Sequence, residues 1–290
     1  MDNLNDAYTD FILSRQAMLC TPGTIRWYNF TAGRFIEWLI ENGANTAKET
    51  SARHVRTYLA ELRVKDLSDS YIHGHARAIR TLVGFWHQEK YIPDPIVFNM
   101  PSIDKKRPLV LSLDELQRVL NACLTIRDKM VVLFFADSGI RRAEALALNW
   151  RDVNIESGLV RIARGKGGKY RTVIIGETTR QVLLNYQQTV KHTDDDPLIQ
   201  TNTGTRLTLS GMQSAFMRIS ERSGVKVTPH SLRRTFATLS RRAGMDLLEL
   251  QALMGHASLD MTKRYIQMLD DDLIEAHRKH GPIDNYLPGI

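Results

Sequence analysis

Apolar positions in the first ninety residues recur at steps of three and four. Ile25, Tyr28, Ala32, Phe35, Ile36 and Leu39 keep that spacing until Asn42-Gly43. This is the period of a helix that buries one face and ends at a residue tolerant of a left-handed turn. Val55, Tyr58, Leu59 and Leu62 repeat the pattern in a shorter stretch. Ile72, Ala76, Ile79, Leu82, Val83 and Trp86 repeat it in a third. With an opening helix near 5–18, the spacing predicts a bundle of about four helices over residues 1–92.

Beyond the bundle the rhythm changes. Helices are expected near 113–124 and 127–137, and then Gly158 to Ile175 becomes rich in β-branched and turn residues. Leu159-Val160-Arg161-Ile162 and Arg171-Thr172-Val173-Ile174 read as two strands around the turn Gly165-Lys166-Gly167-Gly168-Lys169. Helical periodicity returns over 179–191, 209–223, 231–243, 246–253 and 258–268, with a last short helix near 270–280. The expected fold is mainly α, with helices packed on a small β-sheet.

Between the two regions, Pro93, Pro95, Pro101 and Pro108 supply four of the nine prolines. Each removes a backbone donor and disfavours helix at the residue before it. Directly after them, Ser112 and Glu115 have the spacing of a capping box. These signals divide the chain into a helical domain at 1–92, a linker at 93–110 and a second domain at 111–290.

Charge sharpens that division. Lys and Arg number 39 against 32 Asp and Glu, for a net charge of +7. The first 105 residues are neutral, so the whole excess lies in the second part. A basic balance suits an anionic partner, of which nucleic acid is the commonest. Only Cys20 and Cys123 are present, which excludes a disulfide framework and a four-cysteine zinc site and suits a reducing cytoplasm. No apolar run approaches the roughly 20 residues of a membrane span, and the polar, acidic N-terminus lacks the order of a secretory signal. His73 and His75, two apart on a predicted helix, face different ways and make a poor metal pair. The glycine-rich hairpin lacks the spacing of a nucleotide-binding phosphate loop. Neither a metal nor a nucleotide cofactor is expected.

Three polar stretches carry candidate chemistry. In Ser138-Gly139-Ile140-Arg141-Arg142-Ala143-Glu144 an apolar helix ends at glycine and the next opens with arginine, a natural anion site. Taken alone, Arg141 and Glu144 read first as a surface pair three residues apart. In Thr228-Pro229-His230-Ser231-Leu232-Arg233, proline starts a helix and His230 and Arg233 share a face, suited to phosphate binding and proton handling. Alone this is also a capped helix with a solvated basic side. In Met254-Gly255-His256 a glycine ends one helix, and Tyr265 lies on the next. Most such tyrosines are packing residues.

Taken together and in order, these stretches resemble the tyrosine recombinase (phage integrase) family. The family carries an arginine in a TGLRxxE-like motif and a lysine in a GKG turn. It then has HxLRHTFAT, LGH and a tyrosine nine residues later. Here the matching text is Ser138 to Glu144, Gly165-Lys166-Gly167, His230 to Thr238, Met254-Gly255-His256 and Tyr265. The resemblance spans about 110–280. Arg234 stands where many relatives have histidine.

The resemblance implies an N-terminal core-binding (SAM-like) bundle that clamps DNA and a mixed α/β catalytic domain. It implies that Arg141, Lys166, His230, Arg233, His256 and the nucleophile Tyr265 cleave and rejoin DNA through a 3′-phosphotyrosyl link, without metal or ATP. It also implies that Glu144 supports Arg141. Apart from the resemblance, Arg77 and Arg80 on the third predicted bundle helix read equally as phosphate contacts and as a solvated face. The implied partners are double-stranded recombination sites, bound by a homotetramer that works through a Holliday junction and exchanges the C-terminal tail around Asp270 to His277; a final helix packed in cis is the other reading of that tail. There is room for an accessory protein, and a Xer-like or simple mobile-element role is favoured. Two alternatives stay open: a non-catalytic DNA-binding protein and a type IB topoisomerase.

Overall fold

The computed structural model describes residues 3–103, 109–163 and 170–255, the side chain of Tyr170 excepted. The chain forms two compact units, residues 1–106 and 107–290. Among the described residues no helix is long and apolar enough to cross a membrane.

The first unit is helical. Helices α1 (Leu4–Ala17), α2 (Pro22–Glu41), α3 (Ala52–Val64) and α4 (Asp69–Gln88) follow the apolar periodicity closely. Each begins at a side-chain cap: Asn3, Thr21, Ser51 and Ser68 accept from the backbone amides of Asp6, Thr24, His54 and Tyr71. These caps satisfy amides that the first helical turn leaves without partners. Phe11, Phe35, Leu39, Ile79, Leu82 and Trp86 fill the centre. Each such side chain is worth roughly 1.5–3 kcal/mol of burial. His75 is enclosed among them, 2.9 Å from the Tyr58 hydroxyl. Burial first, then the nearby Arg34 charge, pushes its pKa down to about 4. The imidazole is therefore a neutral core group.

The second unit packs helices on a small antiparallel sheet. Its elements are α5 (Leu113–Asn121), α6 (Ile126–Ser138), α7 (Arg142–Ala147), β1 (Val153–Asn154), β2 (Leu159–Ala163) and β3 (Tyr170–Ile174). They continue with α8 (Glu177–Gln187), α9 (Leu209–Ser223), α10 (Pro229–Arg242) and α11 (Leu247–Met254). The strands run in the order β1-β2-β3, with Val160 opposite Val173 and Ile162 opposite Arg171. Strand β1 is too short to leave a periodic signal, so the two-strand reading missed it.

Helix α6 is central. Met130, Val131, Val132, Phe134 and Phe135 are all buried, as expected of a helix apolar on every side. It packs against α8 and α10, while α11 lies against α10 and β3. Asp137 near its end accepts from the Gly176 amide and the Thr179 hydroxyl, both at 2.6 Å, and so fixes the start of α8. Ser112 and Glu115 form the expected reciprocal cap at the start of α5. The C-terminal ends of α6 and α11 thereby come to one place, which is where the polar motifs gather.

Candidate active site

Helix α6 stops at Gly139, which adopts φ +59°. The Phe236 ring occupies the space where a Cβ would stand, so glycine is required both for the turn and for the approach of α10. Ile140 then enters the core and Arg141 caps α7. Glu144 closes this corner. One carboxylate oxygen accepts from the Arg141 amide at 2.9 Å, and the other from Arg141 Nη1 at 3.0 Å. The pair is half-buried, unlike the solvated surface pair that sequence spacing also allows.

Helix α10 delivers the second arginine. Thr228 and Ser231 cap each other reciprocally with Pro229 in the first turn, which fixes the helix start. Arg233 follows one turn later with 2% of its surface exposed. Its Nη1 donates to Gly139 O and its Nη2 donates to Met254 O at 2.8 Å. His230 lies on the same helix but reaches solvent. Burial, followed by the charges of Arg234 and Arg233, lowers its pKa below the usual imidazole value. That shift favours the uncharged imidazole.

The end of α11 meets three guanidinium groups on three successive carbonyls. Arg171 donates to Leu253 O, Arg233 to Met254 O and Arg141 to Gly255 O. A helix C-terminus carries partial negative charge on such carbonyls, and cations there are favourable. Gly255 adopts φ +62° at this point. Arg171 comes from β3, is 6% exposed, and also binds Glu144 Oε2 at 2.6 Å. Burial opposes the charge on Glu144, but Arg171 and Arg141 outweigh it and hold the carboxyl below the usual carboxylate range.

Arg141, Arg142, Thr228, His230 and Arg233 line a cleft of about 370 Å³. The structure thus brings Arg141, His230 and Arg233 together, with Glu144 behind Arg141. Cationic forks beside a neutral imidazole suit a phosphate whose charge grows during a reaction. Lys166, His256 and Tyr265 lie outside the described residues, as do the expected helices at 258–268 and 270–280 and the tail from Asp270 to His277. Arg77 and Arg80 are exposed on α4 of the first unit. Arg77 stacks over Trp27 at 4.8 Å beside a cleft of about 520 Å³, and Arg80 lies over Phe98 at 5.8 Å.

Arg171 escaped the sequence reading. Its signal was strand parity: Arg171 shares the inward face with Val173 and Ile175, which are buried. The run Thr172-Val173-Ile174-Ile175 blurred that alternation.

The model of the phage integrase family matches residues 110–271. Tyrosine recombinase XerA of Pyrococcus furiosus is 29% identical over 275 residues, covering 93% of this chain and 92% of the relative. Tyrosine recombinase XerC of Thermodesulfovibrio yellowstonii is 30% identical, covering 79% of this chain and 81% of the relative. Among solved structures, the Tn1549 transposon integrase in complex with a circular intermediate DNA superposes with a TM-score of 0.77. It is 18% identical and covers 97% of this chain and 100% of that one. The match over more than half the chain, carried by the same stretch that builds the arginine-lined cleft, means that the chain belongs to the phage integrase family of tyrosine recombinases.

Proposed function

We propose that this chain, a site-specific tyrosine recombinase, breaks and rejoins DNA strands at the cleft formed by Arg141, His230 and Arg233. Arg141 and Arg233 hold the non-bridging oxygens of the phosphodiester as negative charge builds on them. Tyr265 attacks the phosphorus, and its phenol proton passes to His230, whose neutral form is favoured by its lowered pKa. The bond to the 5′ oxygen breaks, and that oxygen takes a proton from Lys166. His256 adds a hydrogen bond to a non-bridging oxygen. The resulting 3′-phosphotyrosyl bond keeps the energy of the phosphodiester, so rejoining needs no ATP and the residues assigned call for no metal.

One observation carries this reading: two arginines from separate helices and a histidine share one cleft. In the first unit, Arg77 and Arg80 contact DNA phosphates. Four protomers hold two duplexes through a Holliday junction, each docking its tail around Asp270 to His277 on a neighbour, and an accessory protein joins where a site requires one.

A nicked duplex that traps the covalent intermediate tests the reading. Duplexes drawn from the DNA flanking the chain's own coding region give a slow-migrating, protease-sensitive band with wild type. Tyr265→Phe binds the same duplexes and gives none. Tight binding with no adduct from wild type favours a non-catalytic DNA-binding protein instead.

A further inference from the structure

Arg171 is a buried charge that none of the catalytic roles above uses. It projects from β3 to two other elements, donating to Glu144 of α7 and to Leu253 O at the end of α11. The approach is close: a Cβ on Gly255 would lie 2.5 Å from Arg171 Cδ and 2.7 Å from its Nε. Arg171 and Gly255 are thus fitted to each other, and Arg171 lies five positions after Lys166 in sequence.

Stability alone is a weak reason for such a group. A buried ion pair is often matched or bettered by apolar side chains of the same volume. An apolar side chain cannot, however, hold a carboxylate and a carbonyl at fixed angles on two different elements, as a planar guanidinium does.

We propose that Arg171 is a positioning residue for strand cleavage, locking the Arg141–Glu144 corner and the Leu253–Gly255 turn to strand β3. Three parts of the site then keep one geometry: the corner that bears Arg141, the strand that follows Lys166 and the turn that leads to His256. The inference rests on the catalytic reading of those three residues. It makes Arg171 act through Glu144 and the turn, without touching DNA.

The test compares full-length wild type, Arg171→Met, Arg171→Lys and Tyr265→Phe on the nicked duplexes, in single-turnover adduct formation across pH. Arg171→Met is expected to form the Tyr265-dependent adduct about 100-fold more slowly, the scale on which misplacement of about 1 Å acts. Its affinity for the duplex and the salt dependence of binding stay near wild type, because a buried arginine releases no phosphate counterions. Arg171→Lys, which keeps the charge and loses the fork, recovers part of the rate.

The acid limb supplies a readout that loss of packing alone does not move. The charged groups facing the Glu144 carboxylate are Arg171 from β3 and Arg141 at its own helix start. Among the described residues the end of α11 offers uncharged carbonyls, and Arg233 and His230 of α10 line the adjoining cleft. Without Arg171, Glu144 protonates at higher pH and releases Arg141, so the acid limb shifts upward. Glu144→Gln removes the Glu144 part of that limb and leaves the part set by protonation of His230, the proton acceptor.

A wild-type rate in Arg171→Met overturns the proposal, as does a slow rate with an unmoved acid limb. If Arg171→Met does not fold, Arg171→Lys decides by the same two readings. Unaffected Arg171 variants beside a Tyr265-dependent wild-type adduct overturn this inference alone. Absence of any wild-type adduct overturns the catalytic reading and this inference with it.

Discussion

Glu144 receives Arg171 on one carboxylate oxygen at 2.6 Å and Arg141 on the other at 3.0 Å. A single carboxylate on α7 therefore ties a buried arginine of the sheet to an arginine of the cleft. The side chains differ in exposure, 4% for Arg171, 18% for Glu144 and 39% for Arg141. The Arg171 half of this bridge is buried, and the Arg141 half faces solvent.

Removing Glu144 leaves Arg171 buried without its carboxylate. Glu144→Ala is expected to lower unfolding free energy by about 3 kcal/mol, the range for breaking one partner of a buried pair. Glu144→Gln keeps hydrogen-bonding atoms and loses less, roughly 1–2 kcal/mol. Urea titration of both variants against wild type measures the difference.

Acid weakens the same bridge, and the sign is fixed by the lowered Glu144 pKa. Its unfolded carboxyl titrates near 4.3 (about that value in model peptides). The stabilisation is fully present above that pH and is lost as pH falls through the lower folded value. Thermal unfolding between pH 5 and the acid limit, about pH 3, shows a steeper loss for wild type than for Glu144→Gln.

His230 behaves differently because its pKa is lowered as a base. The folded state disfavours protonation, so His230 costs stability as pH falls below about 6.5. Its ring resonances are expected to titrate below that value in NMR. Arg234→Gln removes one of the opposing charges and moves the midpoint up, toward the ordinary imidazole value.

The turn at Gly139 separates two costs. Gly224 adopts φ +65° with nothing near a Cβ, so Gly224→Ala pays only the left-handed conformation, about 1–2 kcal/mol. Gly139→Ala meets the same conformational cost and also drives into the Phe236 ring. It should lose more stability by calorimetry and should also displace Arg233, whose Nη1 is held by the Gly139 carbonyl.

Much of this was legible in the sequence, for identifiable reasons. The bundle showed because residues such as Phe35, Leu39, Ile79 and Leu82 keep one helical stripe. The α6 and α11 ends showed because Gly139 and Gly255 take left-handed turns. The grouping of Arg141 with Arg233 did not follow from spacing, since they are 92 positions apart and meet through carbonyls at the end of α11. Arg171 was hidden because an arginine in a strand next to a basic turn reads as solvated until its parity with Val173 and Ile175 is counted. The short β1 was hidden because two residues carry no period.

Arg77 offers a test of the first unit. It is exposed and stacked on Trp27. Arg77→Ala is expected to weaken duplex binding and lower the salt slope by about one, the signature of one lost phosphate contact. The single-turnover rate of bound complexes stays unchanged. Binding isotherms at several salt concentrations decide it.

The central claim is that Tyr265 becomes joined to the 3′ end of the cut strand. Its most direct measurement is mass spectrometry of the trapped adduct after trypsin and nuclease digestion. The account predicts a nucleotide phosphate on the peptide that begins at Tyr265 and a free 5′-hydroxyl on the released strand. A phosphate carried by any other residue, or a link to the 5′ end, would contradict it.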